Sequence, residues 1–202
     1  MEWLTFGPWL QRCRCAFRGE LAGCRRGLVL GDGDGRFTAC LLSANAVVVL
    51  DAVDSSPAML KALLHRAGPH STRVAAHACD AREFHPAGRC YDLIATHFFL
   101  DCLTTDEVSE LARTLRRAAD YDAIWLVSEF AVPETKFGRI VARPVVCGLY
   151  WAFGRLTGLR VRKLPDHARA MREAGFALAS RRTWLGGLLV SELWRACCPL
   201  RP

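Results

Sequence analysis

A short apolar run, Leu28–Leu30, leads directly into three glycines at alternate positions, Gly31, Gly33 and Gly35. Because glycine has no Cβ, the chain can turn sharply here and a ligand can approach the backbone closely. A helix that begins after such a turn directs the positive end of its dipole at that ligand. The stretch therefore predicts a strand–turn–helix unit that binds a nucleotide-like cofactor at the carboxyl end of an open α/β sheet.

The spacing of these glycines excludes two common nucleotide-binding motifs. A dinucleotide fingerprint requires Gly-x-Gly-x-x-Gly, but the third position falls on Arg36 when counted from Gly31 and on Thr38 when counted from Gly33. A P-loop requires Gly-Lys followed by Ser or Thr, and the turn contains no such sequence. Neither a pyrophosphate nor a triphosphate is therefore the expected ligand.

Strand-like runs alternate with helical patterns along the chain, which has 202 residues, enough for one α/β domain with a full core. The runs predict strands at residues 28–30, 46–50, 72–77, 91–96 and 123–127, of which 72–77 is the weakest. The continuous apolar run at 46–50 is typical of a strand covered on both faces. Helical patterns occupy 1–26, 36–44, the segment from Pro57, the segment from the capping box Thr104–Glu107 to about Ala119, and 166–174. Residues 176–184 and 188–194 predict a hairpin. This order predicts a parallel sheet between two helical layers, with one antiparallel strand near the end.

One segment, residues 133–164, interrupts this alternation. It contains an apolar run, Val145–Phe153, bracketed by arginines and shorter than the roughly 20 residues that a membrane span needs. Three interpretations stay open: a lid over an apolar substrate, a helix packed on the sheet edge, and an interfacial helix on a membrane surface. Tyr150, Trp151 and Phe153 are the candidate substrate wall. With no linker elsewhere, we expect a single domain over residues 1–202, with an N-terminal helix at 1–26 and a lid-like insert at 133–164.

The charge and cysteine patterns narrow the expected partners and compartment. The net charge is +7, but the basic residues are scattered rather than gathered in a run, so no nucleic-acid partner is expected. The ten cysteines include no Cys-x-x-Cys pair, and no metal site is expected. The N-terminus lacks the pattern of a signal peptide. A cytoplasmic protein with reduced cysteines is the expectation.

Acidic residues follow the second and third predicted strands. A carboxylate at the end of the second strand can accept hydrogen bonds from both hydroxyls of a ribose, and Asp51 and Asp54 are the candidates. Asp80, after the third strand, could accept a hydrogen bond from an adenine amino group.

In this order the elements resemble the class I S-adenosylmethionine-dependent methyltransferases, from about residue 28 to residue 195. The matching motifs are Val29–Gly35, Val53–Leu60, Cys79–Ala81 and Tyr91–Leu100. The resemblance implies a Rossmann-like three-layer α/β sandwich with a mostly parallel seven-stranded sheet, in which the terminal hairpin supplies the antiparallel strand. The Asp-x-Ser-x-x-Met-Leu form of the second motif selects Asp54 over Asp51.

The resemblance also implies S-adenosyl-L-methionine as the cofactor and assigns residues to its parts. The methionine part would be held by Gly31, Asp32, Gly33 and Gly35, the ribose by Asp54 with Ser55, and the adenine by Asp80 with Ala81, with His97 nearby. The family usually has an acidic residue at the position of Gly31, whereas here the acid stands at Asp32. A catalytically idle interaction protein with this fold, associated with a membrane surface, is the alternative that this departure leaves open.

Methyl transfer from a sulfonium is an in-line displacement in which the cofactor carries the difficult chemistry. The protein aligns the acceptor, excludes water, and supplies a base only where the acceptor must lose a proton. His97 and Glu129 follow the fourth and fifth strands and are the candidate catalytic residues. The expected acceptor is a small, lipophilic or aromatic molecule; the sequence makes no prediction about the oligomeric state.

Overall fold

The computed structural model describes residues 7–86, 91–133, 148 and 165–197. Its seven strands form one sheet in the order β3-β2-β1-β4-β5-β7-β6. The strands are β1 Arg26–Leu30, β2 Val49–Asp54, β3 Val74–Ala78, β4 Tyr91–His97, β5 Ala119–Phe130, β6 Phe176–Trp184 and β7 Leu189–Ala196. The helices are α1 Gly7–Arg14, α2 Arg36–Ala44, α3 Pro57–Ala67, α4 Thr105–Ala118 and α5 His167–Glu173. The first five strands are parallel and β7 is antiparallel to both of its neighbours, which confirms the predicted fold class.

Both faces of the sheet are covered, because consecutive residues of the central strands are buried in different clusters. Leu28 belongs to the cluster that includes residues of α4 and α5. Val29 belongs to the cluster that includes Phe37 and Leu41 of α2. Side chains alternate between the faces of a strand, so a strand covered on both sides must be apolar throughout. This is the physical reason for the uninterrupted apolar runs in the sequence.

Local hydrogen bonds set several element boundaries. The capping box is confirmed, since Thr104 Oγ1 accepts from the Glu107 N–H and a Glu107 carboxylate oxygen accepts from the Thr104 N–H. The second strand begins at Val49 rather than at the predicted residue 46. The cause is Asn45, whose side-chain oxygen accepts from the N–H groups of Val47 and Val48 and turns the chain before the strand.

Other boundaries differ from the predictions as well. The fifth strand is longer than predicted and follows α4 without a loop. The predicted N-terminal helix is divided into α1 and a short helical turn, Arg18–Leu21. Residues 1–6, 134–147 and 149–164 lie outside the described residues, and most of the proposed insert is therefore among them.

Candidate functional site

The glycine turn lies where the strand order reverses, between β1 and β4, which is where open α/β sheets bind ligands. Gly31, Gly33 and Gly35 all have positive φ angles, of 66°, 56° and 81°. A Cβ on Gly35 would lie 2.7 Å from the Cα atom of Leu63, so only glycine lets the start of α2 pack closely against α3. A Cβ on Gly33 would meet nothing within 4 Å. Gly33 is thus the glycine of this turn that faces open space.

The side chain of Phe99 covers Gly31. A Cβ on Gly31 would lie 2.4 Å from the Phe99 Cδ2 atom. The preceding residue, Phe98, has a φ angle of 55°, an uncommon conformation for a bulky side chain. Sequence analysis did not identify Phe99 as a site residue, although it lies within the fourth motif.

Glu129 holds the turn that carries Phe99. Its Oε1 atom accepts hydrogen bonds from the backbone N–H groups of Phe99 (3.2 Å) and Leu100 (2.8 Å). Its Oε2 atom is buried and has no hydrogen-bond partner among the described residues. Burial, and next the nearby charge of Asp101, raise the pKa of Glu129 well above its ordinary value. The raised pKa favours the protonated carboxyl, whose hydrogen would lie on Oε2 because Oε1 accepts the two backbone hydrogen bonds.

His97 is the buried last residue of β4. Its Nδ1 atom lies 2.9 Å from Ser128 Oγ, and its ring packs against that of Phe37. Ser128 Oγ in turn lies 3.4 Å from the Cys13 carbonyl oxygen, to which it donates. The tautomer that satisfies both contacts has its hydrogen on Nδ1, which leaves a lone pair on the buried Nε2 atom. Burial, and then the positive charge of Arg14, lower the pKa of His97 to about 3.

The two candidate catalytic residues point to opposite faces of the sheet. His97 is hydrogen-bonded to Ser128, and Glu129 is the next residue of β5. Because neighbouring residues of a strand alternate between faces, Glu129 points away from the face that holds His97. A joint action of the two side chains on one acceptor atom is not supported by this arrangement.

Asp32, the displaced acid of the glycine turn, caps α2. Its two carboxylate oxygens accept from the backbone N–H groups of Phe37 (3.2 Å) and Thr38 (2.8 Å). Burial raises the pKa of Asp32, while the Thr38 N–H and the charge of Arg14 act in the opposite direction. The carboxylate is thus engaged with the first turn of the helix, and its contact with the amino group of a cofactor stays a prediction.

Asp54 and Asp51, the two candidates for the ribose, have different surroundings. Asp54 is half-buried at the end of β2, next to Val53, whose carbonyl oxygen accepts from the Gly31 N–H. Its Oδ1 atom accepts from the N–H of Ser56, which caps α3. Asp51 lies three residues earlier and accepts hydrogen bonds from Tyr91 and His77. Burial acts to raise the pKa of Asp51, but these hydrogen bonds outweigh it and the pKa is lowered. Asp54 is therefore the acid next to the glycine turn.

Asp80 lies beyond the end of β3 and is bonded to Arg82. The Arg82 guanidinium contacts both Asp80 oxygens, at 2.5 to 3.1 Å, and lowers the pKa of this carboxyl. The same guanidinium reaches Glu107 at the start of α4, 2.5 Å away. Ala81 is buried and Ser55 is exposed. Arg82 was missed by sequence analysis, because no local signal pairs it with Glu107.

The candidate substrate residues Tyr150, Trp151 and Phe153 lie outside the described residues, so their role stays a prediction. Within residues 7–86, 91–133 and 165–197, no group of three or more histidine, cysteine or acidic side chains could hold a metal ion. In the same part of the chain, no helix combines the length and the apolar character needed to cross a bilayer.

Comparisons with known proteins agree with this architecture. Residues 28–123 match the family model described as a methyltransferase domain. No curated protein sequence matches the chain.

Solved structures share the fold at low sequence identity. The mitomycin 7-O-methyltransferase MmcR has a TM-score of 0.74 at 16% identity, over 93% of this chain and 53% of that one. The riboflavin-derivative dimethyltransferase RosA from Streptomyces davawensis has a TM-score of 0.68 at 18% identity, over 96% and 55%. The N-methyltransferase NodS from Bradyrhizobium japonicum has a TM-score of 0.68 at 14% identity, over 98% and 99%.

This chain spans about half the length of MmcR and RosA, and nearly the whole of NodS. The strand order with an antiparallel β7, the glycine turn at the point where that order reverses, and the family match over residues 28–123 lead to one assignment. The chain has the Rossmann-like fold of the class I methyltransferases, and its residues 28–123 match a methyltransferase domain.

Proposed function

We propose that this protein binds S-adenosyl-L-methionine in the crevice at the carboxyl ends of β1, β2 and β3, and transfers the methyl group to a small, lipophilic or aromatic acceptor. One observation carries the proposal. The neighbouring strands β1 and β2 bring the open backbone of Gly33 and the half-buried carboxylate of Asp54 to the same edge of the sheet. Asp80 follows β3 at that edge, one strand further along.

These groups fit the chemistry of an adenosyl ligand. Gly33 offers backbone without a side chain, so the methionine part can lie close to the turn. Asp54 can accept from ribose hydroxyls, since the Ser56 N–H engages its Oδ1 atom and a carboxylate has further lone pairs on both oxygens. Asp80 is held ionised by Arg82 and can accept from an amino group. The bound cofactor supplies a methyl group activated by the positive charge of its sulfur.

Two observations support a small, lipophilic or aromatic acceptor. MmcR and RosA are named for mitomycin and for a derivative of riboflavin, both small molecules. The apolar run Val145–Phe153, with Tyr150, Trp151 and Phe153 as the proposed substrate wall, favours an acceptor with an apolar or aromatic surface.

We assign His97 an orienting role rather than that of a strong base. A pKa of about 3 makes its imidazole a poor proton acceptor at neutral pH. The lone pair on Nε2 can still accept a hydrogen bond from an acceptor hydroxyl and align its oxygen with the methyl group.

Calorimetric titration with S-adenosylhomocysteine tests the proposal. The wild-type chain should bind it with micromolar affinity, and Asp54→Ala should remove measurable binding. Asp120→Ala is the matched control, because Asp120 is an exposed carboxylate at the opposite, amino end of β5. Absence of binding by the folded wild-type chain, or equal binding by both variants, would refute the proposal.

A second candidate function is an interaction protein that keeps the fold and has no methyl-transfer activity. It is favoured by Asp32, whose two oxygens are taken by the first turn of α2, and by Phe99, which covers Gly31. This alternative predicts that S-adenosylmethionine is not consumed with any phenolic or amine acceptor, and that the chain binds vesicles of anionic lipid less tightly as the salt concentration rises. Turnover with one acceptor eliminates it.

A further inference from the structure

Two cysteines from separate parts of the chain meet on the face of the sheet that α1 and α2 cover. Cys15 follows α1, and Cys40 lies in the middle of α2. Their Sγ atoms are 2.8 Å apart, with the Cys15 thiol donating to the Cys40 sulfur. Both residues are half-buried and both are reduced. A disulfide bond of about 2.05 Å would therefore need the two sulfurs to approach each other by less than about 1 Å.

We propose that Cys15 and Cys40 form a hydroperoxide-sensitive dithiol that closes to an intramolecular disulfide between the segment after α1 and α2. The geometry supplies both members of such a site, a reacting sulfur and a resolving sulfur in contact with it. This proposal does not depend on the proposed methyl transfer.

Cys40 is the reacting sulfur. The hydrogen bond from Cys15, and also the exposed guanidinium of Arg18, lower the pKa of the Cys40 thiol, although burial opposes them. A thiolate beside an arginine and open in part to solvent has the surroundings of a reactive cysteine. Cys13 and Cys102 differ in this respect, because burial raises the pKa of each to about 12.

Cys15 is the resolving sulfur. Its hydrogen bond to Cys40 and its burial raise its pKa, and the negative charge of Cys40 adds to the rise. Oxidation turns Cys40 into a neutral sulfenic acid, so the effect of that charge disappears. Cys15 can then lose its proton and attack a sulfur that it already touches.

The chemistry balances in two steps. The Cys40 thiolate attacks the peroxide, an S–O bond forms, the O–O bond breaks, and the leaving hydroxide takes a proton to become water. Cys15 then attacks the Cys40 sulfur, so that the S–S bond forms, the S–O bond breaks and a second water leaves. The two thiols lose two electrons and two protons in total, and one hydrogen peroxide becomes two waters.

The test is cysteine mapping of the full chain after reduction and exposure to an equimolar amount of hydrogen peroxide. We expect a loss of two hydrogen atoms in the intact mass and a linked peptide that contains Cys15 and Cys40. Before oxidation, Cys40 should react with iodoacetamide at neutral pH about tenfold faster than Cys102, because its thiolate fraction is larger. If Cys15 and Cys40 stay alkylatable after peroxide treatment, or other cysteines are linked equally fast, the proposal is wrong.

Three variants assign the roles. Cys15→Ser should leave a sulfenic acid on Cys40 that a dimedone probe traps, with no linked peptide. Cys40→Ser should show neither product, and Cys102→Ser, the half-buried matched control, should behave as the wild type. A dimedone adduct on Cys15 in the Cys40→Ser variant would contradict the assigned order. Mapping of the wild-type chain decides the proposal even if a variant fails to fold.

Discussion

The ring of Phe99 lies against Gly31, so close that a Cβ on residue 31 would be 2.4 Å from the Phe99 Cδ2 atom. The contact joins the glycine turn after β1 to the turn after β4. Glu129 fixes the second of these turns through the N–H groups of Phe99 and Leu100. The shape of the proposed cofactor crevice therefore depends on a residue of β5 that cannot be recognised from the glycine motif.

Replacing Gly31 tests this contact. Gly31→Ala introduces both a strained φ angle and an overlap with Phe99, so we expect a loss of about 2 to 4 kcal/mol in unfolding free energy. Gly33→Ala is the matched control, since it has a similar positive φ angle and open space around the new methyl group. It should lose only about 1 kcal/mol. Urea unfolding measures both, and equal losses would show that Phe99 exerts no steric constraint.

Glu129 provides a pH-dependent test. Its pKa is raised by burial and by Asp101, so the folded state holds a proton that the unfolded chain releases above its ordinary glutamate pKa. The stability that this bound proton contributes is complete below the ordinary glutamate pKa. It is lost as the pH rises towards the pKa of Glu129 in the folded state, by up to about 1.4 kcal/mol per pH unit. Glu129→Gln keeps an acceptor and a donor without titrating. The stability of this variant relative to wild type should rise between pH 5 and pH 8 in urea unfolding, and a constant difference would contradict a protonated Glu129.

His97 has the opposite pH dependence. Its pKa is lowered to about 3, so between pH 3 and the ordinary histidine pKa the unfolded chain is protonated at this residue and the folded chain is not. The stability that the neutral histidine contributes is present above the ordinary histidine pKa and is lost as the pH falls towards 3. The variant His97→Gln lacks this titration. The stability difference between wild type and variant should therefore be smaller at pH 4 than at pH 7, as thermal unfolding at the two pH values can show. A difference that grows towards pH 4 would mean that His97 is charged in the folded state.

Asp80 tests the proposed adenine contact. Asp80→Asn keeps the size of the side chain and removes its charge, so we expect affinity for S-adenosylhomocysteine to fall about tenfold, as for the loss of one charge-assisted hydrogen bond. Glu107→Gln is the control, because it weakens the other partner of Arg82 and leaves Asp80 intact. An unchanged affinity for Asp80→Asn would remove Asp80 from the site.

Local signals in the sequence predicted much of this architecture. The capping box Thr104–Glu107, the glycine turn and the apolar strands each depend on neighbouring residues, and the structure contains all of them. The second strand was placed too early, because the turn made by the Asn45 side chain occupies residues that have high β-propensity.

The contacts of the site were harder to predict. The packing of Phe99 on Gly31, the capping of α2 by Asp32 and the link from Asp80 through Arg82 to Glu107 join side chains that only the folded chain brings together. His97 and Glu129 point to opposite faces of the sheet because side chains alternate along a strand. Predicting this from the sequence would have required the register of β4 with β5, which pairs His97 with Ser128.

A crystal structure of the chain soaked with S-adenosylhomocysteine would locate the cofactor site. We expect density for the ligand at the carboxyl ends of β1, β2 and β3, with its ribose on the Asp54 carboxylate and its methionine part beside Gly33. Ligand density elsewhere on the protein, or an empty crevice at a saturating ligand concentration, would contradict the proposed cofactor site.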